Sequence, residues 1–109
     1  MYEPNREFLS FDVAGFSHWY GYEVMHKLVP GAKLRLVPEP DNPYDPRAVA
    51  LYKGKTKIGF VPRNHNACLA QLLHFGYGKA FECRVTHVVP DAHPERMVFA
   101  RVLLRDARS

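Results

Sequence analysis

Residues 38–46 read PEPDNPYDP, which places Tyr44 and Asp45 side by side between Pro43 and Pro46. Proline presets φ, and Asn or Asp side chains bond to nearby backbone, so turn chemistry accounts for the prolines, Asn42 and Asp41. It does not ask for an aromatic ring and a carboxylate held next to each other. A fixed ring offers a face for stacking, and a fixed carboxylate accepts hydrogen bonds from a hydroxyl or an N–H. The plainer alternative is that Asp45 only braces the loop.

Other chemistries find less support. His65 and Cys68 are three residues apart, but no second Cys/His pair has the spacing a structural zinc site needs. Cys83 alternates with Phe81 and Val85 and reads as a core residue. No nucleophile elbow, phosphate-binding glycine loop or His-Glu-x-x-His is present. Asp41 and Asp45 lie close in sequence, yet they have neither a metal partner nor a candidate acid. The residues therefore argue against an enzyme and imply no cofactor and no metal.

Proteins that bind single-stranded nucleic acid combine aromatic platforms with basic groups that follow the phosphates. Here His18-Trp19-Tyr20 follows Gly15, Tyr44 sits in the stiff loop, and Lys33, Arg47, Lys53, Lys55, Lys57 and Arg63 are spread over the centre of the chain. Trp19, Tyr20 and Tyr22 can equally cap a core, and the lysines of KGKTK can belong to a solvated turn. Composition alone favours these plainer roles.

The elements that must hold these residues follow from periodicity. Residues 7–13 alternate, with Leu9, Phe11 and Val13 on one face, and residues 33–37 do so with Leu34 and Leu36 inward. Residues 48–52 and 57–61 form a predicted hairpin around Lys53-Gly54-Lys55. Residues 18–28 have a loose helical spacing that Gly21 keeps short. Asn64 is the predicted N-cap of a helix reaching about Phe75, with Leu69, Leu72 and Leu73 buried and Gly76 as the αL residue after it. Two longer strands close the chain at 80–88 and 97–104. Phe81, Cys83 and Val85 share a face of the first, and Met97, Phe99, Arg101 and Leu103 share one of the second. Six short antiparallel strands with Gly/Pro turns predict a mainly β fold, a small barrel with one clear helix between strands 4 and 5 and a short helical segment after strand 1.

With 109 residues and 47% hydrophobic content, the chain has the size and composition of one folded domain, spanning 7–104 with frayed ends at 1–6 and 105–109. The first residues lack a signal peptide's charged start and apolar run, and no stretch is apolar enough to span a membrane. The expected compartment is the cytoplasm, where Cys68 and Cys83 remain reduced thiols. A net charge of +4 is compatible with a polyanionic partner without requiring one.

The run EPDNPYDPRAVALYKGKTKIGFVPR resembles the signature of the HIRAN domain family. The matching pieces are Gly15, residues 39–45, the apolar strand 48–52, Ile58-Gly59-Phe60-Val61-Pro62 and the leucine-containing helix at 68–73, and the likeness extends from about Phe8 to Leu104. It implies a six-stranded antiparallel barrel of the OB or SH3-like type with helical insertions. Such domains occur fused to fork-remodelling helicases and as stand-alone bacterial proteins, and this chain is similar to the latter. In a helicase-fused member the domain captures the 3′ end of single-stranded DNA, in a repair or replication-fork setting. Carried over, Tyr44 would stack on the terminal base and Asp45 would accept from the 3′-hydroxyl. Asn42 would contact the base edge or brace the loop, and Arg63 would meet a phosphate. Two positions depart. Ser17-His18, followed by Trp19, stands where the helicase-fused domain has Arg-Tyr, and Phe60 replaces a phosphate-contacting histidine. His18 or Trp19 would then supply the second face of a base sandwich. The implied partners are single-stranded DNA and a helicase or other repair protein. The rival reading is an SH3-like module whose groove, with Trp19, Tyr20 and Pro62, binds a peptide.

Overall fold

The computed structural model describes residues 5–108. Six strands, β1 (Asn5–Asp12), β2 (Lys33–Pro38), β3 (Val49–Lys53), β4 (Thr56–Phe60), β5 (Phe81–Val88) and β6 (Val98–Arg105), form one antiparallel sheet in the order β1-β6-β5-β2-β3-β4. The helix α1 (Ala67–His74) lies between β4 and β5, and 3-10 segments at Phe16–His18 and Gly21–Lys27 follow β1. The sheet is mainly β as predicted, and its two edges meet. Just past β1, Ala14 pairs with Phe60 at the end of β4, each N–H donating to the other's carbonyl at 2.9 Å. Among the described residues a single bridge, rather than a full ladder, joins the edges.

That bridge depends on Gly59. A Cβ at this position would come within 2.5 Å of the Ala14 carbonyl oxygen and 2.6 Å of Val13 Cγ1, and φ there is +154°. Only glycine admits so close a backbone approach without a shift. Its absent side chain is what brings Phe60 alongside Ala14 and Gly15.

The alternation read from the sequence is visible in the core. Phe11, Val13, Leu34, Phe81, Cys83 and Val85 are buried, as are Leu51, Ile58 and Val61 from the central hairpin. Each large apolar side chain so buried contributes roughly 1.5–3 kcal/mol relative to exposure. Burial also pushes the Cys83 thiol up to about 12, because the thiolate cannot be solvated there. On β6 the core face is Val98, Ala100 and Val102. The set Phe99, Arg101 and Leu103 faces outward, where Phe99 stacks on His87 at 5.1 Å. With a side-chain period of two, Arg101 marks the outer face, and the smaller aliphatic residues between take the inner one.

Two further boundaries differ from expectation. Asn64 lies within a 3-10 turn, Arg63–His65, and the residue preceding α1 is Asn66. Gly76 does follow the helix with φ +92°. Of the ends expected to fray, residues 1–4 and 109 lie outside the described residues. Asn5 and Arg6 belong to β1, Arg105 ends β6, and residues 106–108 have no regular structure. Among the described residues no helix is long and apolar enough to cross a membrane.

Candidate functional site

The loop between β2 and β3 is organised by its own polar side chains. Asn42 Oδ1 accepts from the N–H groups of Tyr44 (2.9 Å) and Asp45 (3.1 Å), while Asn42 Nδ2 donates to Glu39 Oε1 at 3.0 Å. Asn42 therefore braces the loop. Pro43 and Pro46 fix φ on either side of the Tyr44-Asp45 pair, so the pair is held by covalent stiffness and by this hub together.

Asp45 is tied on both oxygens. Oδ1 accepts from the Arg47 N–H at 2.9 Å, and Oδ2 accepts from Asn66 Nδ2 at 2.8 Å, with Arg63 Nε 3.6 Å away. Burial works to raise its pKa, but the Arg47 amide, the Asn66 side chain and the Arg63 charge together outweigh it and hold the carboxyl below the ordinary value. Its side chain is 15% exposed. A carboxylate has about four acceptor positions; the Arg47 amide, Asn66 and the Arg63 guanidinium face three of them, which leaves one for a donor arriving from solvent. Asn66 is buried and makes no capping bond to α1; its side chain is turned to Asp45 instead. The helix start has thus given up a cap to position a carboxylate.

These groups open on a cleft of about 280 Å³ lined by Ala14, Gly15, Asn42, Tyr44, Asp45, Ala48, Phe60, Val61, Arg63 and Asn66. Tyr44 is 85% exposed, which leaves its ring free to stack. Arg63 donates to the Tyr44 carbonyl oxygen and faces Asp45, yet its side chain is 71% exposed, so it presents a cation at the cleft. On the Gly15 side, the Glu95 carboxylate reaches over from the β5–β6 connection and accepts the Gly15 N–H at 2.8 and 3.2 Å. The cleft thus offers a ring face, a hydroxyl acceptor, an apolar wall and a cation.

The first aromatic segment is arranged differently from the second. Ser17 and His18 are exposed on the 3-10 turn Phe16–His18 and do not line the cleft. Trp19 is half-buried behind the cleft wall, edge-on to Phe60 with centroids 5.8 Å apart. Lys57 Nζ lies 3.8 Å from the Trp19 centroid and 4.5 Å from that of Phe60, and it is paired with Glu39 at 2.6 Å. The Lys57 charge is consequently spent on the protein itself. Of the residues singled out from the sequence, the structure brings together Asn42, Tyr44, Asp45, Phe60 and Arg63, with Trp19 behind them and Ser17 and His18 apart.

Sequence reasoning missed Asn66, Glu95 and the Glu39–Lys57 pair. Glu39 and Lys57 are 18 residues apart, and Asp45 and Asn66 are 21 apart, so no local spacing announces either contact. Only the misassigned helix cap was a signal: an asparagine beside a helix start whose side chain is needed elsewhere.

A family model described as the HIRAN domain matches residues 7–104. Comparison with curated proteins returns no match. Among solved structures, the chain is similar to a protein from Lactobacillus plantarum, with a TM-score of 0.71 and 20% identity over 93% of this chain and 94% of the other. It is also similar to the HIRAN domain of human HLTF, with a TM-score of 0.65 and 17% identity over 95% of this chain and 82% of that one.

Proposed function

The chain belongs to the HIRAN domain family, and from that premise we propose that it is a non-catalytic module that takes the free 3′ end of single-stranded DNA into the cleft beside Tyr44 and Asp45. The observation that carries this reading is the convergence of an exposed ring, an ionised carboxylate and a cation around one opening. Tyr44 stacks on the terminal base. The 3′-hydroxyl donates to a free acceptor position on Asp45, and Arg63 meets the phosphate on its 5′ side. An internal phosphodiester has no hydroxyl to donate, and a terminal phosphate brings negative charge against Asp45. The carboxylate therefore selects an end and rejects a phosphorylated one.

Phe60 and Gly15 line the same cleft as Tyr44, and Trp19 meets Phe60 edge-on. The second face of the base sandwich falls to Phe60 in this reading, with Ser17 and His18 left at the periphery. Affinity is modest, since stacking contributes about 1–3 kcal/mol per base. The setting implied by the family resemblance is DNA repair or the replication fork, in an intracellular compartment.

The test is equilibrium binding of short oligothymidylates that end in a free or a phosphorylated 3′-hydroxyl. Tighter binding of the free end is expected. Equal affinity for both, or binding of neither, overturns end recognition.

A further inference from the structure

Behind the cleft wall lies a second opening that the end-binding reading does not use. It is a hollow of about 540 Å³ lined by Trp19, Tyr20, Glu23, Tyr52, Lys55, Thr56 and Lys57. Tyr20 is 57% exposed and is fixed in place by its N–H, which donates to the Lys57 carbonyl at 3.0 Å. The Arg35 guanidinium lies over the Tyr52 ring, 5.1 Å from its centroid, and its Nε donates to the Gly54 carbonyl. Lys55 is exposed at the adjoining hairpin turn. Glu23 is the one acid in the lining, and Lys57 is already neutralised by Glu39. Within the lining Lys55 and Glu23 balance, and the excess positive charge beside the hollow comes from Arg35 over Tyr52.

The hollow is continuous with the cleft through its rings. Phe60, which lines the cleft, meets Trp19 at 5.8 Å between centroids, and Trp19 meets Tyr20 at 6.4 Å. Both contacts are edge-on, so a contiguous row of rings leads from the cleft to the hollow. Stacking rings beside exposed cations are the features by which proteins hold a single strand without reading its sequence.

We infer that this hollow is a second subsite for single-stranded nucleic acid, where a base of the same strand, upstream of the captured end, stacks on Tyr20 while Arg35 and Lys55 attend its phosphates. The inference rests on the end-binding reading, since it supplies the path along which that strand leaves the cleft. Continuity with the cleft and the one excess positive charge select this occupant over an apolar peptide, which would leave that charge uncompensated.

The protein's only tryptophan stands at the junction, so its fluorescence reports strand binding directly. The experiment titrates wild type, Tyr20→Ala and Lys55→Glu with oligothymidylates of two and ten nucleotides, each with a free or phosphorylated 3′ end. Both positions are exposed, and circular dichroism checks that the variants fold. Wild type is expected to bind the longer strand about tenfold more tightly, the scale of one stacked base. Both variants are expected to lose most of that gain while keeping wild-type affinity for the dinucleotide and its preference for the free end. A wild type without any gain, or variants that retain it in full, overturns the second subsite and leaves end capture standing. A gain that depends on Tyr20 with no preference for either 3′ end supports the subsite and overturns end capture instead.

Discussion

At Asp45, burial alone would push the carboxyl pKa up, and the bonds from Arg47 and Asn66 with the charge of Arg63 bring it down. A group whose folded pKa is depressed contributes stability above its unfolded value and loses that contribution only as the pH falls through the lower folded value. The hydroxyl acceptor therefore stays ionised well below neutrality. Affinity for an oligothymidylate with a free 3′-hydroxyl should not fall between about pH 8 and pH 5, a range above the ordinary carboxylate pKa. A fall within that range would contradict a carboxylate as the hydroxyl acceptor. Asp45→Asn places an amide NH₂ against either the Arg47 N–H or the Asn66 amide. It is expected to abolish the preference for a free end and to cost on the order of 1–3 kcal/mol of stability, measured by denaturant unfolding. Should the variant keep that preference, Asp45 serves only to brace the loop. Tyr44→Ala removes an exposed ring and no charge, so affinity should drop by about 1–3 kcal/mol with the salt slope and melting temperature unchanged. Unchanged affinity would argue against stacking. The sequence made Tyr44 and Asp45 conspicuous because turn chemistry left them over. It was silent about Asn66, whose partner is distant along the chain.

At the level of elements, β4 does the positioning. Its one glycine permits the Ala14–Phe60 bridge, and that bridge holds together two residues that line the cleft with Tyr44. Gly59→Ala drives a methyl into the Ala14 carbonyl and Val13, and is expected to destabilise the fold by about 1–3 kcal/mol, seen as a lowered melting temperature. A wild-type melting curve would show that the bridge is dispensable. The strands and the central hairpin were legible because apolar residues alternate and because Gly54 marks the turn. The inner face of β6 was harder to read: both alternating sets carry apolar residues, and only Arg101 separates them. The helix cap was misplaced by two residues because Asn64 and Asn66 look alike in sequence, and tertiary contacts alone decide what each side chain does. Ser17 and His18 were candidates through the family pattern, but the 3-10 turn after Gly15 turns them away from the cleft.

Across the whole molecule, the sheet brings together two loops and two strand ends that lie far apart along the chain. The Glu39–Lys57 pair then couples the stiff loop to the Trp19–Phe60 contact. The fold also sorts the two thiols. Cys68 is exposed, whereas Cys83 is buried with its pKa pushed up to about 12, so an alkylating reagent should label one thiol in the native protein and two after denaturation. Labelling of both under native conditions would mean that the core around β5 opens readily. The net charge of +4 is mild, and much of the local charge is internally paired, so binding should depend on ends and rings more than on bulk electrostatics. The most direct measurement compares one oligothymidylate in linear form, with a free 3′-hydroxyl, against the same strand covalently circularised. Both have the same bases, and only the linear one has an end. A clear preference for the linear strand is expected, and equal affinity for the two would contradict capture of a 3′ end.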